Sequence, residues 1–455
     1  MLKRIGDVTL LVLAGVVLAV MVGLVVKVAT GDSILATLAL VACLALVAWA
    51  VVRLVRSPIS DTVERWRDMP DDDQVKAVYR HVARRWQGLA EDAGLGVHER
   101  TGRTDKRGRE ITRLRTPEVK SWEATPQGVQ AEIYPIPGHQ SVEDVAKAIP
   151  RIASGFGDEV RSEVLGKSVR IIWRLRDPLA GVRHVSRPAS RELAPLVIGR
   201  CEDGSDATLD IRDASHVCVQ GQTRSGKSVF TYGVTGQLAQ MDAVRLMGVD
   251  PNRVLLGVHA ETGRTLPGDV ALGADPDEAV AVLERAVAIM DERNAKLLPQ
   301  RIDKLEKFTA DEPIILLVLE EFAGLVRSAE LADKGRKPAD KVGWKINALV
   351  GRLVSEGAKS GIRVMLILQR ADSGIIDTGN RAQFGTRVTF GVDNADAVRM
   401  LHPSVRPELV EEIMDFTAGR CYFQQRGKKQ MVMQADLTDY DEYWERLEAV
   451  QNANA

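Results

Sequence analysis

Cysteine is scarce in this chain. Cys43, Cys201, Cys218 and Cys421 are spread over 455 positions, and no two stand in C-x-x-C spacing. That pattern excludes a zinc ribbon, a dithiol redox motif and a disulfide scaffold, and it suits a reducing compartment. Net charge is missing as well: 61 Lys and Arg face 62 Asp and Glu, which leaves −1. A uniformly basic nucleic-acid coat is thereby excluded, while a local basic groove is not. With 45% hydrophobic and 27% charged residues, the composition is neither collagen-like nor that of a disordered chain. The length is ample for a large core and for two or three domains.

Apolar residues are distributed unevenly. Val8–Val26 is 19 residues without a charge, and Ser33–Val52 is 20 more. Each run can cross a hydrocarbon core of about 30 Å. The short connection Lys27–Asp32 predicts a tight transmembrane hairpin over residues 1–56, with spans at about 8–26 and 33–52. Lys3 and Arg4 precede the first span, and Arg53 and Arg56 follow the second. The positive-inside rule then places both termini in the cytoplasm of a two-pass protein of the cell membrane, surrounded by membrane lipid. A cleaved signal peptide fits less well, because the first run exceeds an h-region and a second span follows at once.

Residues 57–125 read as a juxtamembrane linker and a basic segment. Val78, Val82, Trp86 and Leu89 have helical spacing. Arg100–Lys120 holds eight basic residues against three acids. Such a segment can meet nucleic-acid phosphates or anionic headgroups, or form a solvated hairpin. Residues 126–190 read as a small α/β module. Val129–Tyr134 and Val169–Trp173 alternate as strands, and Ser141–Ile149 is an amphipathic helix with Ser141 and Asp144 placed to cap it.

The strongest pattern is Gly221-Gln222-Thr223-Arg224-Ser225-Gly226-Lys227-Ser228, which fits G-x-x-x-x-G-K-[ST]. His216–Gln220 reads as a strand entering the loop, and Val229 onward as a helix leaving it. That context is the one a phosphate loop requires. Glycines let backbone N–H groups approach phosphate oxygens, and the helix N-terminus adds favourable potential. Lys227 would supply charge to the β- and γ-phosphates of ATP, and the Ser228 hydroxyl would ligate Mg.

Ile314–Leu319 is a continuous apolar run, as in a strand covered on both faces, and Glu320 and Glu321 follow it. Two acids in a row are natural only where a strand leaves a sheet, because adjacent side chains on a strand point to opposite faces. They sit where a Walker B motif ends. Glu320 would hold Mg, and Glu321 would polarise the attacking water. Val244–Val249, Arg363–Leu368 and Arg387–Val392 are further strands, with a capped helix over 276–297 between. Strands alternating with helices predict a mostly parallel sheet with ligands beyond its carboxyl ends. Gln369, at one such end, is placed to sense the γ-phosphate. Gly419–Gln425 and Gln430–Met433 predict a hairpin.

In this order the elements resemble the FtsK/SpoIIIE family of membrane-anchored DNA translocases. The likeness rests on Pro195–Gly199 as a lead-in strand, the loop 221–228, Val249-Asp250-Pro251, Met290–Arg293, Gly351-Arg352-Leu353, Ser360-Gly361-Ile362, Leu368-Gln369-Arg370 and Thr386-Arg387-Val388. It covers roughly residues 125–436 and the membrane anchor. The resemblance implies a RecA-like P-loop ATPase motor over residues 191–440, a short tail over 441–455, and Val229 completing the nucleotide loop. It implies a hexameric ring of identical subunits around double-stranded DNA, with ATP between subunits. A neighbour's arginine, Arg387 or Arg370, would then act as a finger. Lys334, Arg336, Lys337, Lys341 and Lys345 are candidates for DNA contact.

Two positions depart from the family pattern. Arg224 stands where the family prefers glycine, and Glu320 where aspartate is usual. Two spans rather than four, and the lack of a long Pro/Gln linker or an appended winged helix, favour a conjugative plasmid or integrative-element transfer protein of actinobacterial type. Other transfer proteins would be its partners. The alternatives are the ATPase of a type VII protein-secretion system, and a degenerate ATP-binding assembly protein.

Overall fold

A computed structural model of the protein describes Trp66 and residues 69–106, 108–156, 160–184, 190–213, 216–371 and 376–454. The expected membrane hairpin lies outside the described residues. Among those described, no helix is long and apolar enough to cross a membrane. The chain divides into two compact units at Asp177/Pro178.

The first unit opens with α1 (Asp71–Asp92), whose buried Gln74, Val78, Val82, Trp86 and Ala90 recur at helical spacing. Three aspartates in its first turn complement the helix dipole. A ribbon of β1 (Val97–Thr104) and β2 (Glu110–Arg115) follows and forms a two-stranded sheet of its own. Then come β3 (Glu118–Thr125), β4 (Gly128–Tyr134), α2 (Val142–Phe156), β5 (Val160–Val164) and β6 (Val169–Arg174). The last four strands make an antiparallel sheet ordered β3-β4-β6-β5. Alternation decides its faces: Val129, Ala131, Ile133, Val169, Ile171 and Trp173 all point into one core with α1 and α2. Ser141 and Asp144 form the expected reciprocal cap, with Ser141 Oγ accepting from Asp144 N at 3.1 Å and Asp144 Oδ2 accepting from Ser141 N at 2.9 Å. The module is therefore larger than the expected 126–190. It begins with α1, inside the segment read as a linker, and ends at Asp177.

The second unit contains, in chain order, β7 (Leu196–Cys201), β8 (Asp206–Leu209), β9 (Val217–Gln220), α3 (Lys227–Leu238), β10 (Val244–Val249), α4 (Leu256–Glu261), β11 (Val270–Ala271), α5 (Pro276–Gln300), β12 (Ile314–Leu319), α6 (Phe322–Asp333), α7 (Gly343–Glu356), β13 (Ile362–Leu368), α8 (Thr378–Ala382), β14 (Thr386–Phe390), α9 (Ala395–Leu401), α10 (Pro407–Met414), β15 (Arg420–Gln425), β16 (Met431–Ala435) and α11 (Tyr440–Asn454). One ten-stranded sheet runs β11-β10-β12-β13-β9-β14-β15-β16-β7-β8. From β11 to β14 the strands are parallel. From β14 onward each pair is antiparallel, including the expected hairpin β15–β16. The fold is a mixed α/β P-loop arrangement.

Strand β12 shows why its sequence lacks alternation. Ile314, Leu316 and Val318 join a core with Phe230, Val234 and Leu238 of α3. Ile315, Leu317 and Leu319 join a second core with Leu283 and Met290 of α5, Phe322 of α6 and Leu353 of α7. Helices cover both faces, so every position is apolar. Residues 441–454 of the expected tail instead belong to α11, which joins the first of these cores through the fully buried Tyr443 and Leu447. Tyr443 Oη donates to Leu255 O at 3.0 Å and lies 3.3 Å from Thr235 Oγ1.

Tyr443→Ala should therefore destabilise the second unit by about 3–5 kcal/mol, the cost of an aromatic-sized core truncation. Tyr443→Phe, which removes only the hydroxyl, should cost about 1 kcal/mol. Equilibrium denaturation followed by far-UV circular dichroism checks both. A mild effect for the alanine variant would show that α11 is dispensable.

Candidate nucleotide site

The parallel register brings one set of strand ends to one edge of the sheet. Val249 of β10 pairs with Leu319 of β12, Leu368 of β13 with Gln220 of β9, and Gln220 with Thr389 of β14. Asp250, Glu320, Gln369, Gly221 and Gly391 are all at or just past those ends.

The loop 221–228 links β9 to α3. Gln222 N donates to Gly391 O at 2.8 Å, and Ser225 O accepts from Gly419 N at 2.9 Å, so the loop is held by two neighbouring turns. Its backbone has positive φ at three positions, Gly221 at φ 157°, Arg224 at φ 66° and Gly226 at φ 108°. A Cβ at position 226 would lie 2.7 Å from Gly419 N. Arg224 bears a modest left-handed penalty, and its side chain is exposed with those of Gln222, Thr223 and Ser228. Ser225 is buried with its Oγ unpartnered within the described residues, and Val229 begins the covered part of α3.

Lys227 folds back over the loop. Its Nζ donates to Gly221 O at 2.5 Å and to Gln222 O at 2.9 Å. Burial lowers its pKa, and the carboxylates of Glu321 and Glu320 oppose that shift. Glu320 N donates to Val249 O at 3.0 Å, and its carboxylate accepts from Asn252 Nδ2 at 3.1 Å. Burial raises the Glu320 carboxyl to about 7, and Asp250 and Glu321 push the same way against the Asn252 hydrogen bond and Lys227. Glu321 starts α6 at φ 48°, a left-handed turn that takes the chain out of the sheet. Gln369 Nε2 reaches Glu321 Oε1 at 3.4 Å, so the expected sensor and the second acid are neighbours. The Ser228 hydroxyl and the acids are hard oxygen donors, the kind Mg takes. A divalent cation would favour the ionised Glu320 carboxylate against the burial, and the lesser push of the neighbouring acids, that raise it, so the residues fit it.

The two arginines separate. Arg370 is part-exposed at the end of β13 and pairs with Asp393. Arg387 Nε donates to Phe384 O at 2.9 Å, and its NH groups donate to Leu401 O at 2.5 Å and Arg381 O at 3.2 Å. It lies within β14, opposite Cys218 rather than at the strand end, and its donors are engaged by carbonyls of its own chain. The structure thus gives Arg387 a packing role. The basic segment after β12 is thinned as well. Arg336 pairs with Asp277, and Lys345 with Glu284 at 2.6 Å. Asp333 accepts from Val342 N at 2.8 Å and Gly343 N at 2.9 Å, which closes the loop between them. Lys334, Lys337 and Lys341 are exposed without an ion pair among the described residues.

Two supporting groups were not foreseen. Asp250 is fully buried, and its carboxylate accepts from the amides of Arg253, Leu255 and Leu256 at 2.8–2.9 Å. It shapes the turn that carries Asn252 to Glu320. Gln220, also fully buried, accepts from Ala371 N at 3.1 Å and donates to Thr389 Oγ1 at 3.0 Å and Ala397 O at 2.9 Å. Thr389 Oγ1 lies 2.7 Å from His402 Nε2, and His402 Nδ1 lies 2.7 Å from Gln424 Oε1. Burial pushes His402 down to about 4, so the ring is neutral at physiological pH and bridges a hydroxyl and an amide. A polar residue ending an apolar strand, as in Val-Cys-Val-Gln220, was the available signal for this network.

The family model described as FtsK/SpoIIIE matches residues 183–414. The DNA translocase FtsK of Streptococcus pneumoniae is 26% identical over 266 residues, which span 54% of this chain and 31% of that protein. The chain thus covers about a third of the length of the curated relatives it matches. Among solved structures, the monomer form of the pCW3 conjugation coupling protein TcpA with ATPγS aligns with a TM-score of 0.51 at 16% identity, over 83% of this chain and 100% of that one. ATPases 2 and 3 of EssC from Geobacillus thermodenitrificans align with a TM-score of 0.47 at 15% identity, over 60% of this chain and 51% of that one.

The close approach at Gly226 makes a specific demand. Gly226→Ala should abolish binding of a fluorescent ATP analogue, since the added methyl meets the Gly419 backbone and distorts the loop, while far-UV circular dichroism stays unchanged. Retained binding would show that the loop has slack at this point.

Proposed function

The chain belongs to the FtsK/SpoIIIE family and is a P-loop ATPase, and from that premise we propose that it is a motor for double-stranded DNA. ATP hydrolysis would drive the duplex through a homohexameric ring anchored in the cell membrane by the two apolar runs near the N-terminus. The observation that carries the reading is the meeting of Lys227, Glu320, Glu321 and Gln369 at one sheet edge. Lys227 is held over the loop by two backbone carbonyls, ready to exchange them for β- and γ-phosphate oxygens. Mg would sit at Ser228 and Glu320. Glu321, steadied by Gln369, would polarise water, and the same amide would register loss of the γ-phosphate. Arg370 is the better-placed finger toward a neighbouring subunit, because it lies part-exposed past a strand end against a single exposed carboxylate, whereas three backbone carbonyls hold Arg387.

The sequence relatives are named DNA translocases, which supports DNA as the cargo. The fold shared with a conjugation coupling protein supports conjugative transfer between cells as the setting.

Hydrolysis should rise with duplex DNA and not with single strands, and Lys227→Ala should be inactive throughout. Glu321→Gln should keep ATP binding and lose about 10²–10⁴-fold in turnover, as expected for removal of a general base. A phosphate-release assay on the full chain measures all three. Turnover indifferent to DNA would move the assignment to a protein-secretion ATPase.

A further inference from the structure

The ribbon β1–β2 of the first unit has no place in the nucleotide chemistry and no covering layer. It forms a separate two-stranded sheet, and Arg100–Lys106, Gly108–Arg113 and Arg115 are all exposed. A lone two-stranded ribbon is marginal in water, because neither face is buried. Its base is tied down: Leu114 packs toward Gly96, and His98 Nε2 lies 3.2 Å from Glu91 Oε1 on α1. Thr101 and Gly102 are extra residues in β1 opposite the Ile111–Thr112 step, and this bulge increases the twist of the distal half.

Cations outnumber acids along the ribbon. Near the base, Arg115 pairs with Glu99 at 2.9 Å; farther out, Glu110, in the last ladder pair, lies 3.5 Å from Arg100, and Asp105 Oδ1 accepts from Arg109 N at 2.9 Å. Arg103, Lys106, Arg109 and Arg113 have no ion pair among the described residues, and three of them cluster at the distal end. Register places Arg103 beside Ile111 and Arg113 beside Glu99, all on one face. The described tip carries no aromatic and a single large apolar side chain, Ile111. It therefore lacks the apolar wedge that membrane-surface segments bury in lipid. A twisted ribbon about two strands wide, with strands about 4.8 Å apart, fits a major groove about 12 Å across and leaves its cations facing phosphates on either side.

We infer that the ribbon is a second DNA contact, in which Arg103, Lys106, Arg109 and Arg113 grip duplex phosphates independently of the ATPase unit. The inference rests on the reading that the cargo is duplex DNA. Phosphate contacts of this kind position a duplex without reading its bases.

The test uses the full chain and a fluorescent duplex, with affinity followed by anisotropy over a salt series. Removing four phosphate contacts in R103A/K106A/R109A/R113A should lower the slope of log K against log salt by about 3.6, at 0.9 per contact. The charge-preserving R103K/R109K/R113K should keep the wild-type slope, and ATP-analogue binding should be unchanged in both. Equal slopes for wild type and the alanine variant would overturn the ribbon while leaving the cargo assignment standing. Failure of the wild type to bind duplex would overturn the cargo assignment and the ribbon with it. An alanine variant that loses binding to phosphatidylserine vesicles, with its DNA slope intact, would assign the ribbon to lipid and overturn the inference.

Discussion

The structure depends on one constraint: the central parallel strands are buried on both faces. A carboxylate or ammonium within such strands would cost several kcal/mol unless fully paired. Acids can therefore appear only where β10, β12 and β13 emerge, and parallel register makes all of those exits coincide. Asp250, Glu320, Glu321 and Gln369 are neighbours because these strands release their acids at the exits, while polar residues inside the sheet, such as Arg363, Arg387 and Thr389, are tied by hydrogen bonds. The same constraint sets their electrostatics. Glu320 stands at the boundary between core and solvent, which is why burial shifts its carboxyl upward while Lys227 and Asn252 hold it in place.

Behind this edge lies a layer of buried polar ties that do no chemistry but hold the loop in shape. Gln220 joins the end of β9 to β14, to α9 and to the residues after β13 through one side-chain amide. Asp250 does the same for the turn after β10. Each is fully satisfied, the condition under which a buried polar group rigidifies a structure rather than weakening it. The phosphate loop is therefore shaped before any nucleotide arrives, apart from Lys227, which holds its own carbonyls in the meantime. Arg387 belongs to this layer and Arg370 does not, a distinction that turns on which end of β14 or β13 the residue occupies.

Much of this was legible from spacing alone. The loop 221–228, the doubly covered run 314–319 and the paired acids after it follow from periodicity and from the cost of burying charge. The hairpin β15–β16 and the cap at Ser141 were equally local. What escaped was long-range. Strand β8 is four residues with only two of them buried, too short for a period to show. Strand β3 is almost wholly exposed or half-exposed, and its sequence looks like a charged linker. Helix α11 reads as a polar tail because its anchoring residues, Tyr443 and Leu447, are isolated among acids. Arg336 and Lys345 looked like free cations because their partners Asp277 and Glu284 lie about sixty residues earlier.

The place of α11 in the core has a bearing on how the protein is made. Strand β7 pairs with β16, Gly199 against Ala435, and α11 closes over α3 and α4. The early strands of the motor therefore leave the ribosome long before their partners exist. At about 5–20 residues per second the wait is on the order of ten seconds or more. During it, the apolar faces of α3 and the edge of β7 have no cover. The first unit's internal contacts are complete once residue 177 has emerged, so it can fold early. Synthesis thus delivers a finished small domain followed by an unfinished large one, and the second unit is the natural client for a chaperone that shields apolar surface until Leu447 has emerged.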